Sequence, residues 1–248
     1  MAQALIIKNL TKQFAISKRK INTVLSNLSL EVDEGDVFGF LGPNGAGKST
    51  TIKLILNFLR PTSGEIEIFG NIVGKNEFRH QIGYLSESPV FYNHLTAWET
   101  LLLSGKLSNL QLKELKKTIP VLLERLNLQD AINIRVRDFS KGMKQRLGMA
   151  NALIHDPQIF IFDEPMSGLD PLGRHLIKEI FEELKKRGKT IFFSTHILSD
   201  IEELCDRIAV IHKGELLYSG ELSNFVEQQT LEEQFVSSIK EAENAKQS

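Results

Sequence analysis

The 248 residues are 42% hydrophobic and 25% charged, ordinary proportions for a globular chain able to bury a sizeable core. Thirty basic residues against thirty-one acidic ones give a net charge of -1, so nothing in the total favours wholesale attraction to nucleic acid or to an anionic membrane. The single cysteine, Cys205, excludes an internal disulfide, fits a reducing compartment and is expected to act as a small buried hydrophobe.

The first eight residues, Met1 to Lys8, lack the basic lead and long apolar core of a signal peptide, which points to the cytoplasm. A membrane-spanning helix needs about 20 largely apolar residues. The longest stretch here without Asp, Glu, Lys or Arg is eleven, so any membrane role is expected to run through a partner.

Residues 1–35 alternate in strand fashion, with Ala4 to Ile7 and then Leu28, Leu30 and Val32 on one face, and they predict antiparallel strands. Between them Lys18-Arg19-Lys20 reads as a solvated hairpin tip, or as a contact for phosphate or lipid headgroups.

Val37-Phe38-Gly39-Phe40-Leu41 has the composition of a buried strand, and Ile52, Ile55, Leu56 and Leu59 recur at the spacing of an amphipathic helix. Between strand and helix lies Gly42-Pro43-Asn44-Gly45-Ala46-Gly47-Lys48-Ser49-Thr50, which fits G-x-x-x-x-G-K-[ST]. Glycines let backbone N–H groups turn inward around phosphate oxygens, and the helix start adds positive field. Lys48 is placed to reach the β and γ phosphates and Ser49 to ligate Mg²⁺, so the run predicts nucleoside triphosphate binding.

Ser63 to Gly70 alternates again and predicts a further strand. From about Thr96 to His155 the pattern turns helical, with Trp98, Leu101 and Leu102 on one stripe and Leu112, Leu115, Val121, Leu122 and Leu126 on others, interrupted by Pro120. Strand-type runs resume at Ile159 to Phe162, Ile191 to Phe193 and Ile208 to Ile211. The first two are separated by a helix whose stripe is Ile177, Ile180, Phe181 and Leu184. Strands spaced by helices imply parallel crossovers. Beyond Gly220 the chain drifts to Glu, Gln, Ser and Lys, and its last dozen residues read as a helix end fraying into disorder.

Ile159 to Phe162 runs into Asp163-Glu164, two carboxylates at the tip of a buried strand, where unpaired charge is costly without a cation. That cation is expected to be Mg²⁺, with Asp163 holding it and Glu164 polarising the attacking water. Ile191 to Phe193 leads to Ser194-Thr195-His196, which puts an imidazole at the sheet edge where ligands gather. His196 is either a donor to the γ-phosphate or a structural histidine.

These residues together resemble the ATP-binding subunit of an ABC transporter, over about residues 4 to 220. The P-loop, the acidic strand, Ser167-Gly168-Leu169-Asp170-Pro171 at the D-loop and His196 at the switch position follow the family's order. Phe139-Ser140-Lys141-Gly142-Met143-Lys144-Gln145-Arg146 is similar to the family's L-S-G-G-Q signature and precedes the acidic strand. The resemblance implies an α/β fold, a P-loop NTPase core with a mainly parallel sheet, an N-terminal antiparallel β-subdomain and an inserted α-helical subdomain. It places the ATP-binding domain at residues 1–225, its helical subdomain at about 88–155, and a polar C-terminal helix or tail at 226–248.

By the same resemblance the chain is a Mg²⁺-dependent ATPase whose two copies, or this chain and a related subunit, face head to tail around two ATP molecules. Ser140 and the Gly142 N–H then cap the partner's γ-phosphate, and Phe14 matches the aromatic that stacks on adenine. Three positions depart from the pattern. Glu87 replaces the Q-loop Gln and can ligate Mg²⁺ but cannot donate as an amide can; Lys141 replaces the first signature Gly and Met143 replaces the signature Gln. Lys141 either reaches phosphate or faces water.

Such variants resemble exporters whose membrane subunits are separate proteins, including bacterial antibiotic and lantibiotic self-protection systems. The expected assembly is peripheral on the inner face of the membrane, held by a separate permease, with no nucleic-acid partner. Phe91 and Tyr92, after the Q-loop, are either satellite core or exposed anchors for that permease. The alternative class, soluble ABC ATPases acting on the ribosome or DNA, resembles paired ATPase units or carries a very long coiled coil. This chain has one P-loop and no sustained heptads.

Overall fold

The structure is a computed structural model that describes residues 2–17, 20–75, 78–226 and 229–245. In chain order the strands and helices are β1 (Gln3–Ser17), β2 (Lys20–Asp33), β3 (Val37–Leu41), α1 (Lys48–Ile55), β4 (Ser63–Ile68), β5 (Asn71–Ile72), β6 (Ile82–Leu85), α2 (Ala97–Leu107), α3 (Leu112–Arg125), α4 (Lys141–Leu153), β7 (Ile159–Asp163), α5 (Pro171–Lys186), β8 (Thr190–Thr195), α6 (Leu198–Leu204), β9 (Arg207–His212), β10 (Glu215–Glu221), α7 (Leu222–Val226) and α8 (Leu231–Asn244). The chain divides into one unit of residues 1–79 and 184–248 and another of residues 80–183. The fold class is α/β, with one antiparallel sheet and mainly parallel strands flanked by helices.

In the first unit β1 and β2 form a long antiparallel hairpin that continues through β4 to β5. Leu5, Ile7, Leu28, Leu30 and Val32 are buried, as alternation requires of a sheet with one face in a core, and Ala4, at the register shift between Gln3 and Leu5, is buried beside them. The same unit holds the strand order β10-β9-β3-β8, with β3 parallel to β8 and β9, and β10 returning antiparallel from β9. All of β3 and β8 is buried, the burial expected of parallel strands covered on both faces.

The helix after β3 is shorter than its apolar stripe implied. It ends at Ile55, and Leu59 lies beyond it. Asn57 adopts φ 55°, its N–H reaches Leu54 O at 3.0 Å, and Phe58 N–H reaches Lys53 O at 2.8 Å. This is a Schellman closure, with Asn in the left-handed position that glycine usually takes.

In the second unit β6 and β7 pair in parallel, with α4 packed on β6. Thr96 caps α2 with a reciprocal capping box to Glu99. Pro120 does not interrupt its helix: α3 runs through it from Leu112 to Arg125. Leu115, Ile119 and Leu122 form the buried stripe, while Pro120 is exposed, so the Lys116 carbonyl that loses its helical donor stands on the water side. Val121 and Leu112, read from the sequence as stripe positions, are exposed.

The C-terminal helix also departs from expectation. α8 begins with a Thr230–Glu233 capping box and stays helical through Asn244, where Glu243 pairs with Lys213 and lies 3.3 Å from His212 Nε2. Residues 246–248 of that expected end lie outside the described ones, as do Lys18 and Arg19 of the expected hairpin tip; Lys20 opens β2. Among the described residues no helix is long and apolar enough to cross a membrane.

Candidate functional site

In the first unit the buried strand β3 delivers the chain into the phosphate-binding loop, and α1 begins at its end. Gly47 caps α1 at φ 114°, a conformation closed to side chains, and no side chain caps the helix. The loop is closed internally by Ala46 N–H to Pro43 O at 3.1 Å and braced from behind by Gly214 N–H to Ala46 O at 2.8 Å.

Lys48 is only 6% exposed, and its ammonium lies across the loop, 2.6 Å from Gly42 O and 3.4 Å from Pro43 O. A buried cation framed by carbonyl dipoles at a helix start is strongly stabilised by an anion in the loop. Thr51 Oγ1 donates to Gly47 O at 3.1 Å, while Ser49 and Thr50 are half-buried at the loop's end.

The same unit brings His196 to this loop. β3 and β8 run in register with Leu41 beside Thr195, and Gly42 N–H donates to Thr195 O at 3.4 Å, so the exposed His196 follows the residue that holds the loop's first glycine. Phe14, on β1, is 37% exposed, and the Lys12 ammonium stands 4.8 Å from its ring centroid. One face of that ring already serves a cation.

In the second unit β7 is buried throughout and ends in Asp163, followed by Glu164, also buried. Glu164 has φ 49°, an uncommon conformation for a side-chain-bearing residue, and Ser167 N–H closes the turn onto its carbonyl at 3.0 Å. Tyr84, on β6 opposite Ile161, has its phenol pKa raised, first by burial and then by the Asp163 carboxylate, against a hydrogen bond from Ser86.

Glu87 lies just past β6 and is exposed. Ser140 is the N-cap of α4 and its Oγ accepts from Met143 N–H at 3.1 Å, which leaves the hydroxyl proton to donate elsewhere. Gly142 and Met143 occupy the first turn of that helix. Asp170 caps α5 through Oδ1 to Gly173 N–H at 2.9 Å. Lys141 is exposed, as its water-facing alternative has it, and its aliphatic stem lies across Gly168 of the following loop.

A sequence model described as ABC transporter matches residues 25–167, more than half of the chain. The chain belongs to the ABC transporter family. It is an ATP-binding ABC ATPase domain. It is 48% identical over 204 residues to an uncharacterized ABC transporter ATP-binding protein of Nostoc sp. (strain PCC 7120), covering 82% of this chain and 61% of that one. It is 45% identical over 212 residues to the bacitracin transport ATP-binding protein BcrA of Bacillus licheniformis, covering 84% and 67%.

The chain spans about three fifths of the length of the first curated relatives it matches, 61% and 57%. Among solved structures, an ATP-binding subunit of an ABC transporter superposes with a TM-score of 0.87 at 34% identity, over 95% of this chain and 99% of that one. A dimeric ATP-binding cassette, MJ0796, in a post-hydrolysis state with ADP and Pi, superposes with a TM-score of 0.81 at 26% identity, over 88% and 98%.

Proposed function

We propose that this ABC ATPase domain powers a separate transmembrane permease, as part of an exporter of the drug, peptide or lantibiotic type, from the cytoplasmic face of the membrane. The observation that carries the reading is the phosphate loop closed around the buried Lys48 ammonium at the start of α1. The bacitracin transport relative supports the exporter class, and the dimeric cassette supports a working pair.

In this reading Gly42 to Thr50 bind the triphosphate, Phe14 stacks on adenine by its other face, and Ser140, Lys141, Gly142 and Met143 face the partner's nucleotide. Glu164 takes the proton of the attacking water, His196 donates to the γ-phosphate, and Asp170 steadies the loop after the base by capping α5. Ser49, Asp163 and Glu87 offer hard oxygens to Mg²⁺. Among the described residues no three His, Cys, Asp or Glu side chains gather into a metal cluster, and Mg²⁺ needs none, since it takes one or two carboxylates with phosphate oxygens and water. When bound, the ion neutralises charge on the β and γ phosphates.

The head-to-tail arrangement has a direct test. Ser140→Arg protein is expected to lose ATPase, and mixing it with Lys48→Ala protein to return part of it, because one composite site in the mixed dimer then lacks both defects. Undiminished ATPase in Ser140→Arg alone would sink that arrangement.

The permease contact is proposed at a groove of about 430 Å³ in the second unit, lined by Val90, Tyr92, Leu103 and Leu107 among others. Tyr92 is 64% exposed, whereas Phe91 is half-buried, so the exposed-anchor reading fits Tyr92 and the satellite-core reading fits Phe91 better. Tyr92→Ala is expected to leave the isolated chain folded and ATP-binding, and to uncouple ATPase from transport in the assembly. A large fall in the isolated chain's thermal stability would make Tyr92 a core residue instead.

A further inference from the structure

Lys141 and Gln145 stand four residues apart on α4, hence on one face of it, and both meet the turn that follows the proposed base. Gln145 is 1% exposed, and its Nε2 donates to Pro165 O at 3.0 Å. Its Oε1 is buried with no hydrogen-bond partner among the described residues.

The carbonyl it holds belongs to the residue directly after Glu164. That glutamate has φ 49° in a turn closed by Ser167 N–H onto Glu164 O at 3.0 Å. At the far end of the turn Gly168 has φ 72°, and a Cβ there would fall 2.5 Å from Lys141 Cε, so the lysine stem fills the space that only glycine leaves open. The turn carrying the base is therefore gripped at Pro165 and at Gly168 by one face of the signature helix.

We propose that Gln145 is a positioning residue for Glu164: its hydrogen bond to the Pro165 carbonyl fixes the left-handed backbone that aims the carboxylate at water. Lys141 supports the other end of the same turn. The inference rests on the reading of Glu164 as the base. It adds a path within one chain from the helix that caps the partner's nucleotide to the base that serves its own.

The test uses Gln145→Leu in the full chain, a substitution of similar size that removes the donor. A base displaced by about 1 Å costs up to ~10²-fold in rate, so kcat is expected to fall at least ~10-fold while ATP affinity and KM stay within about two-fold. Gln145→Met, unbranched, of similar length and without a donor, carries the same test should leucine prevent folding. In a Glu164→Gln background Gln145→Leu is expected to add no further loss, because the two act through one group.

A full additional loss in that background, or a loss of ATP affinity that tracks loss of thermal stability, would overturn the proposal. Failure of the underlying reading looks different: Glu164→Gln alone would then turn over like wild type, which would remove the group through which Gln145 acts.

Discussion

Glu164→Gln is expected to bind ATP as the wild type does and to hydrolyse it about 10²- to 10⁴-fold more slowly, the usual worth of a positioned general base. The amide matches the carboxylate in shape, so the buried site at the tip of β7 and the turn closed by Ser167 are kept. What is lost is the basic oxygen. ATP titration followed by single-turnover hydrolysis separates the two effects, and wild-type turnover in the variant would refute the role. The conformation at φ 49° sharpens the expectation: backbone strain of this kind costs of the order of 1–3 kcal/mol and persists where surrounding structure over-determines it. Pro165, held by Gln145, is part of that surrounding structure.

The parts of the site that sequence reading reached share a property: their signal is local. The phosphate loop is one uninterrupted run between an apolar strand and a helix start, and Asp163-Glu164 directly follow four apolar residues of β7. The stripe Ile177, Ile180, Phe181 and Leu184 is fully buried on α5 as its 3.6-residue spacing requires.

Where the sequence misled, a competing local rule prevailed. The stripe through Leu59 overrode an asparagine at position 57 that ends α1, although Asn is one of the few residues at ease in the left-handed cap. Proline at position 120 signals a break, yet its exposed placement lets water take the place of the lost hydrogen bond. β6 gives no strand signal because it is four residues long and contains Gly83, and β10 gives none because its side chains are mostly half-buried without clean alternation.

Long-range pairings were out of reach altogether. Arg207 Nη1 bonds Asp33 at 2.6 Å and Asp36 at 2.9 Å, tying the start of β9 to the turn between β2 and β3 across more than 170 positions. The grip of Lys141 on Gly168 and of Gln145 on Pro165 is of the same kind. No spacing rule relates these residues, since the loop between them passes through β7 before returning to α4.

Lys48→Ala is expected to fail one step earlier than Glu164→Gln, at binding. Hydrogen bonds from a charged donor are worth about 1.5–3 kcal/mol, so loss of the ammonium should weaken ATP binding by about 10- to 100-fold. The geometry adds to the loss, because the same ammonium spans Gly42 O and Pro43 O and so holds the loop in its anion-ready form. Lys48→Arg should not restore binding, since a planar guanidinium cannot occupy the compact space of a buried ammonium. The two variants separate in a thermal-shift experiment. A ligand at free concentration L that binds only the folded state stabilises it by RT ln(1 + L/Kd), so ATP at a fixed concentration about ten-fold above the wild type's Kd should stabilise Glu164→Gln as it does the wild type and leave Lys48→Ala nearly unmoved. Equal stabilisation of Lys48→Ala and wild type would remove Lys48 from the phosphate site and leave it only the bracing of its own loop.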